Sequence, residues 1–235
     1  MKIALLGYGR MGKEIEKIAL QRGHEIVLKI EEKQDYDIAT ADVAIDFSIP
    51  SAAFENITNC FKNGVPVISG TTGWLDRYQE AVDICNENGG SFIYASNFSL
   101  GVNIFFELNR QLAKMMRAWQ DYKINIEEIH HTKKLDAPSG TAITLAEGII
   151  DYTPKDAWEL DENQEIKENA IPITAKRIPE VPGTHSIGYD SEIDSIEIKH
   201  TAHNRKGFAL GAVVAAEWIV GKTGVYTMKD VLNLG

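Results

Sequence analysis

Cysteine, runs of basic residues and long apolar stretches are all scarce in this sequence. Its 235 residues include only two cysteines, Cys60 and Cys85, which lie in different predicted helices without CxxC spacing. We therefore expect buried free thiols in a reducing compartment rather than a disulfide framework. Lysine and arginine never form a run longer than two, and the net charge is −10. This charge balance argues against nucleic acid or an anionic membrane surface as a partner.

The sequence also lacks a segment suited to crossing a bilayer. Its most apolar late stretch, residues 208–220, is too short to span a membrane and contains Glu217. Met1 and Lys2 lead directly into a predicted strand, which leaves no room for a signal peptide. A content of 44% hydrophobic and 25% charged residues is typical of a globular protein with one large or two small domains. We expect a soluble, cytoplasmic protein.

A glycine-rich turn follows the first predicted strand. Residues 2–6 form a continuous apolar run, typical of a strand buried on both faces. The turn GYGRMG occupies residues 7–12, and a second predicted strand, residues 25–30, ends at Glu31. In a dinucleotide-binding fold, such glycines allow a pyrophosphate to approach the backbone, and an acid at this distance binds the ribose hydroxyls. The alternative is a glycine turn without function.

Strand–helix units continue as far as Phe98. Further strands are predicted at residues 43–48, 65–69 and 91–95, separated by helices that begin at Pro50 and at Leu75. Repeating units of this size predict an α/β fold of the Rossmann type, with a parallel sheet and ligands beyond the carboxyl ends of its strands. Two segments rich in small polar residues, GTTG and ASNF, follow such strand ends.

The pattern changes after Phe98 and predicts a second, α+β domain. A long helix is expected at about residues 102–119, and a strand begins at Lys123. Later strands follow one another without intervening helices, at residues 171–178, 185–189 and 195–201. This arrangement favours a mixed or antiparallel sheet. The acidic, turn-rich residues 153–169 are predicted to form a surface excursion without evident chemistry.

Residues 127–141, EEIHHTKKLDAPSGT, contain two histidines and two lysines within five positions. Helical periodicity begins near Ser139 or Gly140, and the free N–H groups and positive dipole end of a helix N-terminus suit an anion. Histidine titrates near neutrality, and a crowded lysine can be shifted toward it, so the segment also supplies proton donors. We interpret it as a pocket for a carboxylate-bearing substrate. The alternative is a solvated charged turn before an ordinary helix cap.

Five segments together resemble one enzyme family. They are GYGRMG, GTTG, ASNFSLGVN, EIHHTKKLDAPSGTA and KHTAHNRKGFALGA, in the family's order and over nearly the whole length. On these segments the chain resembles the bacterial dihydrodipicolinate reductases (4-hydroxy-tetrahydrodipicolinate reductases) of lysine and diaminopimelate biosynthesis. The pattern HHxxKxDAPSGTA is far more specific than the glycine turn.

The resemblance implies an activity and a role for individual residues. The reaction would be the NADH- or NADPH-dependent reduction of 4-hydroxy-tetrahydrodipicolinate to tetrahydrodipicolinate. His130 would be the acid/base residue and Lys134 the second proton donor, while His131, Gly140 and Thr141 would bind the substrate carboxylates. The residues that would line the cofactor are Gly7, Tyr8, Gly9, Arg10, Met11, Gly12, Glu31, Gly70, Thr71, Thr72, Ala95, Ser96, Asn97 and Phe98.

The resemblance also implies a domain division and an assembly. Residues 1–98 and 205–235 would form the dinucleotide-binding domain, residues 99–204 the domain for substrate binding and oligomerisation, and the assembly would be a homotetramer. Two positions depart from the family pattern. Thr132 stands where many relatives carry arginine. Glu32 stands where relatives that use NADPH carry a basic residue, and its carboxylate would repel a 2′-phosphate, which favours NADH. The nearby Lys33 weakens this repulsion, so NADPH is not excluded.

Three other interpretations are open. One is an amino-acid dehydrogenase of related architecture, acting on aspartate or homoserine, and another is a non-enzymatic NAD(H)-binding redox sensor. A third is a metal site in which Asp136, His200 and His203 add ligands to the histidine pair. His200 and His203 are three positions apart in a predicted strand, so their side chains should face opposite sides, and we expect no metal.

Overall fold

The computed structural model describes residues 1–31, 35–161, 166–204 and 206–234. Its helices are α1 (Arg10–Gln21), α2 (Pro50–Lys62), α3 (Tyr78–Glu87), α4 (Leu100–Met116), α5 (Gly140–Ile150), α6 (Lys206–Ile219) and α7 (Met228–Leu232). Its strands are β1 (Lys2–Leu6), β2 (Glu25–Ile30), β3 (Val43–Asp46), β4 (Val67–Ser69), β5 (Ser91–Tyr94), β6 (Lys123–His130), β7 (Ala157–Leu160), β8 (Ala170–Arg177), β9 (Gly183–Asp190), β10 (Ser195–Ala202) and β11 (Gly224–Tyr226). The chain divides into two compact units, Met1–Asn103 with Lys206–Gly235, and Ile104–Arg205.

The first unit is built on a six-stranded sheet in the order β11-β5-β4-β3-β1-β2. Every pairing in it is parallel. One hydrophobic core lies on the face covered by α1 and α6, and a second on the face covered by α2 and α3. Burial on both faces explains why β1 and β3 are almost uniformly apolar, as the α/β prediction requires. β1 pairs with β2 on one side and β3 on the other, which makes their carboxyl ends the switch point where ligands bind in such folds.

The second unit contains a five-stranded sheet in the order β10-β9-β6-β8-β7. β8 runs parallel to β6 and β7, whereas β9 is antiparallel to β6 and β10, so the predicted mixed sheet is confirmed. Side chains of α4 and α5 pack with one face of this sheet to form a single core. Cys60 and Cys85 are buried free thiols in α2 and α3 of the first unit, as expected.

The prediction for residues 153–169 was wrong in one respect. β7 lies within this segment and pairs in parallel with β8. Trp158 and Leu160 alternate along it and pack against the core of the second unit. A strand of four half-buried residues among acidic and turn-forming neighbours is too short to give a recognisable period. Residues 162–165 of the segment lie outside the described residues.

Every helix in the described part of the chain is too short or too polar to cross a bilayer. The cytoplasmic location expected from the sequence stays a prediction.

Candidate active site

The glycine turn of the first unit joins β1 to α1. Gly7 has φ +99°, and a Cβ there would lie 2.1 Å from the carbonyl oxygen of Phe47 at the end of β3. A Cβ at Gly12 would lie 2.4 Å from the carbonyl oxygen of Gly7. Both glycines are therefore required by the fold itself, because backbone segments meet there without room for a side chain.

Gly9 differs from the other two glycines. A Cβ at this position would meet nothing within 4 Å. Gly9 is also the N-cap of α1, and no side chain caps that helix. The start of α1 thus combines N–H groups that no side chain caps with open space at Gly9, and a pyrophosphate binds at such a helix start in dinucleotide-binding folds. The local geometry fits a nicotinamide dinucleotide.

Glu31 is held beside this turn. The N–H groups of Gly7 and Tyr8 both donate to the carbonyl oxygen of Ile30, at 2.9 and 3.0 Å. Glu31 follows Ile30 directly and is exposed, so its carboxylate is available for ribose hydroxyls. The Tyr8 side chain lies along α1, where its hydroxyl bonds Glu16. Arg10 is exposed and Met11 packs against the core. Glu32 and Lys33, which carry the predicted cofactor preference, lie outside the described residues.

A buried carboxylate organises the next two strand ends. Asp46 is fully buried and accepts hydrogen bonds from Ser48, Ser69 and Thr71 hydroxyls at 2.7–2.8 Å. The amide of Asn56 donates to it at 3.2 Å. Burial raises the pKa of Asp46, and these hydrogen bonds oppose that increase. Thr71, predicted to line the cofactor, therefore directs its hydroxyl into the protein, whereas Thr72 is exposed.

The remaining predicted cofactor residues occupy two further turns. A Cβ at Gly70 would lie 2.3 Å from the Phe47 ring, so this glycine keeps the β4 turn close to β3. The side chain of Asn97 accepts the Ser99 N–H at 2.9 Å. Phe98 is buried in the core, with its ring 5.7 Å from that of Phe47. Ala95 is half-buried and Ser96 is exposed at the same turn.

The second unit presents its polar cluster on one face of the central strand, β6. Strand side chains alternate, so Ile126, Glu128 and His130 share a face, and all three are buried. Glu128 pairs with His185 of β9, and His130 pairs with Arg177 of β8. A strand that begins as an ordinary core element therefore ends in buried polar side chains. The strand runs on to His130, and the predicted histidine segment lies at its end.

Glu128 is fully buried but well supplied with partners. Its carboxylate accepts the Ser139 N–H at 3.0 Å and lies 3.2 Å from Arg177 Nη2. Glu128 Oε2 also lies 3.6 Å from His130 Nδ1 and 3.7 Å from His185 Nε2. Burial raises the pKa of Glu128, but His185 and Ser139 lower it by more, to about 2. The carboxylate is ionised at neutral pH.

The pKa of His130 is lowered, which at neutral pH leaves little of the protonated form that a general acid needs. Burial is the main reason that its pKa falls to about 4, and the neighbouring His185, Lys134 and Arg177 lower it as well. Glu128 raises it in part. His130 is consequently neutral at pH 7 in the free protein, and a nearby negative charge would favour its protonated form.

Lys134 lies in the loop between β6 and α5. Its Nζ is 2.7 Å from Asp136 Oδ2, and the Lys134 side chain is about one-fifth exposed. Arg177 fixes this loop from β8, because its guanidinium donates to the carbonyl oxygens of Asp136 at 2.7 Å and Lys134 at 3.4 Å. One arginine thus joins the lysine loop to Glu128.

Helix α5 begins where the sequence predicted. Ser139 is its N-cap, and the Ser139 hydroxyl accepts the Ala142 N–H at 3.2 Å. Gly140 is exposed and Thr141 half-buried at the first turn, where the N–H groups have no partner within the helix. His131 Nδ1 is buried without a hydrogen-bond partner in the described residues. The Ala137–Pro138 peptide bond that leads into the helix is cis.

The described residues contain one cluster with metal-ligand spacing, formed by Glu128, His130 and His185 within 4.8 Å of one another. It shares only His130 with the set considered from the sequence. His200 lies on β10 beside Phe105, and His203 is exposed beyond that strand. Because Arg177 and the Ser139 N–H already bind the Glu128 carboxylate, we interpret the cluster as a hydrogen-bonding network.

Sequence reasoning missed four residues of these two sites: Asp46, Glu128, Arg177 and His185. Glu128 had a local signal, since it precedes His130 by two positions and must share its face in a strand. Arg177 and His185 had none, because only the pairing of β8 and β9 with β6 places them there. Asp46 had no signal either, because a polar residue at the end of an apolar strand is common at positions without a function.

A parallel sheet with an open dinucleotide turn, and a separate unit with an acid–base cluster at a helix start, define a nicotinamide-dependent oxidoreductase. Family models narrow the class. The model of the dihydrodipicolinate reductase N-terminus matches residues 1–98, and that of its C-terminus matches residues 101–232. The chain belongs to the dihydrodipicolinate reductase family, and residues 1–98 match its NAD(P)-binding N-terminal domain.

Relatives and solved structures agree with this assignment. The chain is 60% identical to the 4-hydroxy-tetrahydrodipicolinate reductase of Christiangramia forsetii over 99% of its own length and 98% of the relative. It is 37% identical to the enzyme of the same name from Methanoregula boonei, over 82% and 75% of the two chains. The dipicolinate-bound dihydrodipicolinate reductase from Paenisporosarcina sp. TG-14 matches at a TM-score of 0.77 and 23% identity over 97% of each chain, which supports the fold. The family match favours the reductase over the other two functional hypotheses.

Proposed function

We propose that this chain catalyses the NADH- or NADPH-dependent reduction of 4-hydroxy-tetrahydrodipicolinate to tetrahydrodipicolinate, a step of lysine and diaminopimelate biosynthesis. The observation that carries the proposal is the placement of buried His130 and the Lys134 loop beside the N-terminus of α5, in a member of this family. An acid–base pair and an anion site are what a cyclic dicarboxylate requires.

The substrate carboxylates would bind at the start of α5. The N–H groups of Gly140 and Thr141 lie in its first turn, where the helix leaves them free and the dipole favours an anion. His131, with its unpartnered Nδ1, adds a further donor or acceptor. The Lys134 ammonium supplies the positive charge that Thr132 cannot, since Thr132 replaces the arginine expected in many relatives.

The chemistry needs a proton as well as a hydride. Loss of water from the hydroxylated ring leaves a conjugated double bond, of which one carbon takes the hydride and the other a proton. Bound NADH or NADPH supplies the hydride. His130 and Lys134 are the groups that deliver the proton, and a positioned acid of this kind contributes about 10²- to 10⁴-fold to the rate.

The negative charge of the substrate favours the protonated form of His130. His130 is neutral at pH 7 in the free protein because its pKa is about 4. A bound dicarboxylate adds negative charge near His130, which offsets the effect of the neighbouring cations and favours the imidazolium. Substrate binding therefore favours the uptake from solvent of the proton that the reaction consumes.

The cofactor would be held in the first unit by the residues that surround its glycine turn. The N-terminus of α1 and Gly9 fit the pyrophosphate, and Glu31 the ribose. Thr71 would contact the cofactor through its backbone, because its hydroxyl donates a hydrogen bond to Asp46. The preference for NADH rests on Glu32 and stays a prediction, which the ratio of kcat/KM for the two cofactors tests.

The deciding experiment is the consumption of NADH and NADPH, followed by absorbance, with substrate generated in situ from pyruvate and aspartate semialdehyde by the preceding aldolase. We expect oxidation of both cofactors that depends on the aldolase. Oxidation of aspartate or homoserine with NAD⁺ under the same conditions, without activity in the first assay, would favour the amino-acid dehydrogenase hypothesis instead. Cofactor binding without turnover in either assay would favour the sensor.

A further inference from the structure

We propose that Glu128 is the positioning residue of His130. It accepts the Nδ1–H of the imidazole and thereby leaves Nε2 as the atom that exchanges a proton with the substrate. This inference rests on the acid–base role proposed above for His130, and it adds the residue that fixes the tautomer and orientation of that side chain.

The two edges of the His130 ring have different surroundings. Nδ1 is buried and has no hydrogen-bond partner among the described residues. Glu128 Oε2 lies 3.6 Å from it, just beyond hydrogen-bond length. The opposite edge borders Gly183, where even a Cβ would come within 3.2 Å of Nε2. A glycine at this place keeps the Nε2 edge free of a side chain. Catalytic hydrogen bonds are often long in free enzymes and shorten when substrate binds, so a 3.6 Å separation suits a pair that closes in the complex.

Glu128 is itself held in a single orientation. The Ser139 N–H donates to Oε2 at 3.0 Å, and Arg177 Nη2 donates to Oε1 at 3.2 Å. His185 Nε2 lies 3.1 Å from the Ser139 hydroxyl and extends the network to β9. Since the carboxylate is ionised at neutral pH, it can only accept hydrogen bonds. The proton between Glu128 and His130 must therefore reside on Nδ1.

The same arrangement controls how readily His130 takes up a second proton. The charged and titratable groups that face its ring are Glu128 on β6, His185 on β9, Arg177 on β8 and Lys134 in the following loop. Three of these disfavour the imidazolium, and the Glu128 carboxylate opposes them. Without that carboxylate, His130 would hold the catalytic proton only at a lower pH. An orienting carboxylate that also stabilises imidazolium has the role of the aspartate in serine-protease triads.

The direct test is the tautomer of His130 in the wild-type protein at pH 7. Two-bond ¹⁵N–¹H correlation spectra of protein labelled with [¹⁵N]histidine distinguish the two neutral tautomers. The chain has six histidines, and the spectrum of His130→Gln identifies the missing signal. We expect the Nδ1–H tautomer. An Nε2–H tautomer would overturn the proposal, and this result needs no Glu128 variant to fold.

The kinetic test uses Glu128→Gln, which keeps the shape of the side chain and removes its charge. We expect kcat to fall by about 10- to 100-fold, with KM for substrate within about twofold, since Glu128 acts through His130 and does not bind substrate. The pKa seen on the alkaline side of the kcat profile, where His130 loses the proton that it must deliver, should move to lower pH. Glu128→Asp, which retains the charge, should recover part of the loss.

Glu147→Gln is the matched control, because it removes an equal charge from the exposed side of α5 in the same unit. It should leave kcat and the pH profile unchanged. A Glu128→Gln enzyme with the wild-type pH profile and kcat would refute the positioning role while His130→Gln still loses activity. Wild-type turnover in His130→Gln would instead remove the acid–base role on which the inference rests.

Discussion

At the scale of single residues, the central feature is the contrast between Glu128 and His130. Both are buried on one face of β6, and their surroundings move their pKa values to about 2 and about 4. The histidine could be selected from the sequence because it stood beside another histidine and two lysines. Its environment could not, since the groups that set its pKa come from β8, β9 and the following loop. The sequence thus pointed to the imidazole of His130, whereas the pairing of the strands determines its protonation state.

The first residue-scale prediction concerns Lys134. Lys134→Ala should lower kcat and also raise KM for substrate, because it removes both a proton donor and a positive charge. We expect each constant to change by about tenfold or more. Steady-state kinetics with substrate generated in situ measures both constants. Lys133→Ala is the control, since Lys133 is the exposed neighbour, and both of its constants should stay near wild type. Equal effects of the two substitutions would contradict a specific role for Lys134.

A second prediction follows from the sign of the His130 shift. Its pKa falls from 6.5 to about 4 on folding, so between these values the unfolded chain binds more protons and stability decreases as pH decreases. Glu128, lowered from 4.5 to about 2, extends the decrease below pH 4.5. We expect His130 to account for roughly 2–3 kcal/mol of the stability lost between pH 7 and pH 4.

Urea unfolding at a series of pH values measures this dependence. His130→Gln should flatten the curve between pH 6.5 and 4 and leave the part below pH 4 in place. Parallel curves for wild type and variant would show that His130 has an ordinary pKa in the folded protein.

At the scale of secondary-structure elements, the β1–turn–α1 unit separates structural from functional glycines. All three glycines are equivalent in the sequence motif. In the structure, Gly7 and Gly12 are confined by backbone atoms, whereas Gly9 faces a clear space at the uncapped start of α1. The motif could be predicted because its residues are adjacent in the chain. The contact of Gly7 with the end of β3 could not, because it depends on which strands are neighbours in the sheet.

The two kinds of glycine should respond differently to alanine. Gly9→Ala should fold with near wild-type stability and bind NADH at least about tenfold more weakly, because its methyl group occupies space that the pyrophosphate needs. Gly7→Ala should lower the free energy of unfolding by about 2 kcal/mol or more, since it combines a left-handed backbone with a collision. Fluorescence titration with NADH and chemical unfolding of both variants check this. Weakened NADH binding without loss of stability in Gly7→Ala would contradict the distinction.

At the scale of the whole molecule, the chain consists of two units of different construction. The regular alternation of strands and helices predicted the parallel sheet of the first unit. The order of strands in the second unit was beyond prediction, because β6, β8 and β9 are brought together across long sequence separations. β7 was missed because it is short: four half-buried residues are recognisable as a strand only beside β8.

Assembly is the prediction that belongs to this scale. Helices α4 and α5 pack on one face of the second sheet, and the edge strand β10 shows mainly exposed and half-buried side chains. We propose a homotetramer formed through this unit. Light scattering after size exclusion should give a mass of four chains of 26.1 kDa at micromolar concentration. A mass of one chain, independent of concentration and in an active sample, would refute it.

The central claim is that His130 delivers the proton in the reduction, and the turnover of His130→Gln tests it most directly. Glutamine keeps much of the size and polarity of the side chain but cannot exchange a proton near neutral pH. We expect kcat to fall by about 10²- to 10³-fold, while the affinities for NADH and for the planar analogue pyridine-2,6-dicarboxylate change little. Wild-type turnover in this variant, with both ligands still bound, would contradict the account.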